Sequence, residues 1–272
     1  MSATTAAPLG QIDVTGTPRT PFGRLAKVEL RKMFDTRAGL WLGLITAFLI
    51  LLALAIPQLV VALNDSVTIS ANIFMTQIMT IPLSLLVPVF AITIVTSEWG
   101  QRTALVTFAL EPHRMRVLLA KLVTVVGLAA GTIAIALGLA LAGTAVAGLI
   151  GDYSPNWNLG VDTVAWVFAQ QLLFFVMAFA FGLLLLNTAG AVAIYYVVAL
   201  LLPMMVFGPL YAIFGWAQDV VPWFDLGFAL MPFSTGEGGD ATDAARVVVT
   251  ALIWVALPFM LGVRRLLRAE LK

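Results

Sequence analysis

Six stretches of this sequence carry no charged side chain at all: Leu40–Leu63, Asn72–Ser97, Leu122–Ile150, Thr163–Leu186, Ala191–Phe214 and Val247–Val263. They make up more than half of the 272 residues, so a random scatter of the 15 basic and 14 acidic side chains would leave about 15 inside them. None lies there. At roughly 1.5 Å per residue, each run is long enough to cross a hydrocarbon core of about 30 Å. The chain therefore reads as an all-α integral membrane protein with six transmembrane helices.

Composition narrows the function. The chain is 61% hydrophobic and 11% charged, against about half and about a quarter in soluble domains. A net charge of +1 offers no basic field for a nucleic acid, so none is expected as a partner. With no Cys and only His113, cysteine and multi-histidine metal sites are excluded. The pieces outside the spans are too short for a soluble catalytic domain. We expect no catalytic residues, no bound metal or cofactor, and no enzyme activity in this chain.

Basic residues beside short loops stay on the cytoplasmic side during insertion. They gather before span one (Arg19, Arg24, Lys27, Arg31, Lys32, Arg37), between spans two and three (Arg102, Arg114, Arg116, Lys121) and after span six (Arg264, Arg265, Arg268, Lys272). The alternate segments hold only Arg246. Both termini are expected to be cytoplasmic. Ala53-Leu54-Ala55 imitates a signal-peptide cleavage site, but the apolar run continues to Leu63, so an uncleaved span is expected. Arg outnumbers Lys 11 to 4 in an Ala-, Val- and Leu-rich chain, a hint of a high-GC bacterium and hence of its plasma membrane.

The expected organisation is a disordered cytoplasmic tail over 1–19, an amphipathic interfacial helix over 20–38, the transmembrane domain over 39–263 and a basic cytoplasmic tail over 264–272. Along Thr20–Arg37, Phe22, Leu25, Ala26, Leu30 and Met33 share one side, and Arg24, Lys27 and Arg31 the other. Such a helix lies on the membrane surface, against lipid or a docked protein. Glu29 falls inside its apolar sector, where a purely lipid-facing helix has no use for a carboxylate.

Gly39, Gly43 and Ala47 in span one, and Gly127, Gly131, Ala134, Gly138 and Ala142 in span three, recur at close helical spacing. Close packing within the chain is their expected use, with a dimer seam as the alternative. Span two carries a polar stripe of Asn72, Thr76, Gln77, Thr80 and Ser84, then Pro82 and Pro88, which are expected to kink it. The stripe lines a substrate path or bonds neighbouring helices. Span five holds Tyr195 and Tyr196, counted with that path, and Pro203 and Pro209, which imply a broken helix. Between spans five and six, Trp216, Trp223, Phe224 and Phe228 fit a re-entrant or interfacial element. Asp240 or Thr242 is expected to cap span six, with Asp243 favourable beside them.

In the segment Glu98–Lys121, Thr103–Leu110 suits a short helix ended by Pro112, and it is too apolar for a solvated loop. The lead-in Val28-Glu29-Leu30-Arg31-Lys32-Met33-Phe34, the Glu closing span two, a Thr five residues on, and Pro112-His113-Arg114 followed by Lys121 together resemble the membrane subunit of type-2 ATP-binding-cassette exporters. Where that family usually has Gly before the Thr, this chain has Arg102.

The resemblance implies a permease that pairs with a second copy or a paralogue and with two separate ATPase subunits. Thr103–Leu110 becomes a coupling helix, with Glu98, Arg102, Thr103, Phe108, Pro112, Arg114 and Arg116 at the ATPase interface. ATP and magnesium belong on the partner, since the sequence contains no Gly-x-x-x-x-Gly-Lys-Ser/Thr phosphate loop. Spans bare of ionisable groups disfavour an ion-coupled carrier and suggest a hydrophobic or amphipathic cargo such as a lipid, drug or peptide. A non-transporting membrane scaffold or immunity-type protein, or else the disfavoured ion-coupled carrier, remain the alternatives.

Overall fold

The computed structural model describes residues 20–64, 66–101, 103, 105–107, 111, 113–234 and 239–268, with the backbone alone for 75–77 and 234. The expected tail over 1–19 and the expected interface residues Arg102, Phe108 and Pro112 lie outside the described residues. Among the described residues, every regular element is helical. Six helices are long and apolar enough to cross a membrane: Arg37–Leu63, Thr80–Gly100, Arg114–Ile150, Val161–Leu185, Thr188–Ile213 and Ala241–Arg268. We call them spans one to six.

A lead-in helix, Phe22–Phe34, precedes span one and turns into it at Asp35 and Thr36. The Thr36 hydroxyl caps span one by accepting from the Gly39 N–H at 3.0 Å. Gly39 makes the corner possible, because a Cβ there would lie 1.7 Å from the Met33 carbonyl oxygen. Span four is the centre of the bundle and packs against spans two, three, five and six. Its Phe175, Met177, Phe179 and Phe181 are buried, as are Phe90, Ile92 and Val95 of span two.

Four of the prolines follow a widened stretch of helix, whereas Pro57 and Pro88 sit within α-helical ones. Wide π turns occupy Phe74–Met79, Val197–Leu201, Pro203–Phe207 and Leu252–Ala256. Each contains the residue four before a proline: Ile78 before Pro82, Ala199 before Pro203, Met205 before Pro209 and Trp254 before Pro258. A proline ring clashes with the carbonyl four residues back and removes its donor, and a π turn moves that carbonyl aside. The expected break in span five is thus corrected to a continuous helix with two wide stretches.

The stripe expected to pack within the chain also turns out differently. Gly127, Gly131, Ala134, Gly138 and Ala142 of span three are exposed, and a Cβ at any of the three glycines meets nothing within 4 Å. Spacing reports which residues share a face, not what covers it. Buried Gly143, on the neighbouring face, lies against Phe74 and Leu54.

At one end of the bundle, Arg114 donates to the Leu266 and Leu267 carbonyls, Arg265 to the Leu184 carbonyl and Arg116 to the Thr20 carbonyl. This basic end gathers the lead-in helix, the start of span three and the end of span six. At the opposite end, Ala71 N–H donates to the Asn156 carbonyl at 3.0 Å, and Ile69 N–H to the Tyr153 hydroxyl at 3.0 Å. There too, the short helices Gly215–Val220 and Leu226–Ser234 link spans five and six. Asp240 then begins span six, with Asp243 in a reciprocal capping box.

Candidate functional site

At the basic end, four charged side chains from three elements meet. Glu29 of the lead-in helix, Glu98 closing span two and Lys121 opening span three are all at most 5% exposed. Lys32 donates to Glu29 and to Glu98, each at 2.8 Å. Lys121 donates to Glu29 and to the Ile94 carbonyl, and its Nζ lies 3.1 Å from Glu98 Oε1. An ammonium has three N–H groups, and these three acceptors match them.

Two carboxylates and two ammonium groups make the cluster neutral, which is how buried charge is tolerated. Burial pulls the Lys32 ammonium down, but its hydrogen bonds to the two carboxylates and their charges outweigh that, holding it above its ordinary value of 10.5. Glu29, the misfit on the apolar face of the lead-in helix, therefore helps to fasten this helix to the bundle, together with Lys32.

The segment after span two hangs from the same cluster. Thr107 donates its hydroxyl to Glu98 Oε1 at 3.0 Å, and the Thr103 N–H donates to the Glu98 carbonyl at 2.9 Å. Residues 105–107 are helical, and Leu105 and Val106 are exposed. Arg116 pairs with Glu111 at 2.9 Å. Arg114 and Arg116, expected at an external interface, thus make bonds within the chain. Arg24, Lys27 and Arg31 are exposed on the outer side of the lead-in helix.

Two adjoining, partly open cavities lie among the helices. The smaller, about 220 Å³, is lined by Thr80 and Ser84 of span two, Gln170 and Gln171 of span four, and Tyr195 and Tyr196 of span five. Four of the expected path residues thus come together. Tyr196 donates to the Leu85 carbonyl, joining spans two and five, and Tyr195 packs edge-on against Tyr196 at 5.4 Å. The Ser84 hydroxyl turns back to the Ile81 carbonyl at 3.0 Å. Asn72 is half-buried and does not line this cavity. The side chains of Thr76 and Gln77 lie outside the described residues.

No family model matches the chain, and no curated protein matches it.

The larger cavity, about 550 Å³, shares Gln170, Phe174 and Ala199 with the smaller one. Its wall includes Asp225, which is 4% exposed and accepts the Phe228 N–H at 2.9 Å. Burial pushes this carboxyl above its ordinary value, partly offset by the backbone N–H groups of Phe228 and Gly227. The charge-free runs at the centre of the spans hold no ionic group, but the segment between spans five and six delivers a carboxylate beside them. Gln170, Gln171 and Asp225 do not stand out in the sequence, because a lone pair of amides in an apolar run and an acid among aromatics have no distinguishing spacing.

Proposed function

We propose that this chain is the permease subunit of an ATP-binding-cassette exporter in a bacterial plasma membrane, with both termini cytoplasmic. In this reading it pairs with a second permease and two separate ATPase subunits and moves a hydrophobic or amphipathic cargo. One observation carries the reading: the Thr107 hydroxyl hangs the segment after span two on Glu98, inside a buried charge cluster that also grips the lead-in helix and span three. A push on that segment would reach three elements at once, because a close-packed charge cluster does not deform gradually.

Exposed Leu105 and Val106 offer the apolar contact that an ATPase groove would cover. The smaller cavity, between spans two, four and five, and the larger one, between spans four, five and six, supply the cargo space, with ATP hydrolysis left to the partner.

The test uses the absence of native cysteine. Val106→Cys, introduced alone and labelled with a maleimide photo-cross-linker, should form a cross-link to a co-purifying ATPase on illumination, and Thr107→Val should lower cargo-stimulated ATP hydrolysis while leaving the assembly intact. Purification without any ATPase companion, or full stimulation in Thr107→Val, would count against the proposal.

A further inference from the structure

The Asp225 carboxylate is buried far from the basic end, and among the described residues no basic side chain pairs with it. Its cap on the helix Leu226–Ser234 does not call for a charge, since Asn or Ser caps as well. A lone buried carboxylate is costly unless something positive meets it.

The cavity it lines has the walls for such a partner. Trp166 and Phe174 of span four and Trp254 of span six face it together with Asp225. The Trp254 N–H donates to the Phe224 carbonyl at 2.7 Å, which fixes that indole in place. Val198 and Pro203, midway along span five, also line the space, so it reaches well into the bundle.

We infer that this cavity binds an organic cation, a protonated amine or quaternary ammonium group, with the Asp225 carboxylate as counter-ion and the rings of Trp166, Phe174 and Trp254 as its walls. Aromatic rings attract cations through their electron-rich faces, more strongly where water is excluded. A space of about 550 Å³ holds a drug-sized amphiphile but is far larger than a bare metal ion needs. The inference goes beyond the export reading and stands apart from it, since binding requires no ATPase.

The experiment is equilibrium dialysis of labelled benzyltrimethylammonium against the full chain in nanodiscs of zwitterionic lipid, with empty nanodiscs subtracted. Saturable binding is expected, weakened at least about tenfold by Asp225→Asn, which retains the cap but removes the charge. The neutral isostere neopentylbenzene should not compete in the wild-type protein. That competition decides the matter even if Asp225→Asn fails to fold. Absence of saturable binding, unchanged affinity in Asp225→Asn, or equal competition by the neutral isostere would overturn the inference. Failure to find an ATPase companion would leave it standing.

Discussion

Lys121 donates to Glu29, so the first turns of span three are clamped to a helix that begins before span one. Both side chains are almost wholly buried, with Glu98 and Lys32 completing a neutral set. Removing one partner of such a set leaves an uncompensated charge, and that penalty exceeds what the pair itself contributes.

Lys121→Met should therefore destabilise the protein by about 3–5 kcal/mol, because it leaves two buried carboxylates facing only Lys32. The combined Glu29→Gln and Lys121→Gln variant should cost less than the sum of the two single changes. Unfolding in mixed detergent micelles measures both. Strict additivity would mean that the two residues do not act as a pair.

The raised Lys32 value carries a pH signature. A cation whose folded value lies above its unfolded value stabilises the fold fully below the unfolded value of 10.5, and loses that contribution as pH rises through the folded value. The wild-type protein should thus stay more stable than Lys32→Met by a constant margin up to about pH 10. Above 10.5 the margin should shrink. Melting temperatures of both proteins, compared across neutral and alkaline pH, test this; a margin unchanged at high pH would contradict the ion pairing.

Two glycines that look alike in sequence should respond in opposite ways. Gly39→Ala places a methyl group against the Met33 carbonyl and should displace the lead-in helix from span one, with a clear loss of stability. Gly138→Ala meets open space and should be neutral or raise stability by about 0.5–1 kcal/mol, through the better helix propensity of alanine. Thermal unfolding in the same detergent compares them directly.

That contrast marks where sequence reasoning stops. The six spans follow from charge-free length alone, since nothing else satisfies so long an apolar backbone in lipid. Glu29 is recognisable as a misfit because helical periodicity is local. Its answer, Lys121, lies 92 residues away, and no local pattern connects them. Tyr195 and Tyr196 could be grouped with Thr80 and Ser84 as polar residues in apolar runs, and they do share a cavity. Asp225 escaped notice because burial, not residue type, makes it unusual. The proline breaks became π turns because the wide turn relieves the clash locally and keeps the rest of the backbone hydrogen-bonded within the helix, as lipid demands.

Under the proposed export function, Gln170 should be the position that most alters cargo choice without disturbing assembly. It is half-buried, lines both cavities, and sits one turn before Phe174, which also belongs to both. Gln170→Leu nearly conserves volume, so the bundle should tolerate it, but it removes an amide from the passage between a hydroxyl-lined space and an aromatic one. In vesicles carrying the assembled transporter, we expect polar amphiphiles to be exported more slowly while apolar ones are unaffected or faster. ATP hydrolysis without cargo should not change, because Gln170 is remote from the Glu98 cluster. If every tested cargo is exported at the wild-type rate, the shared wall is packing only and the cavities are not part of the path.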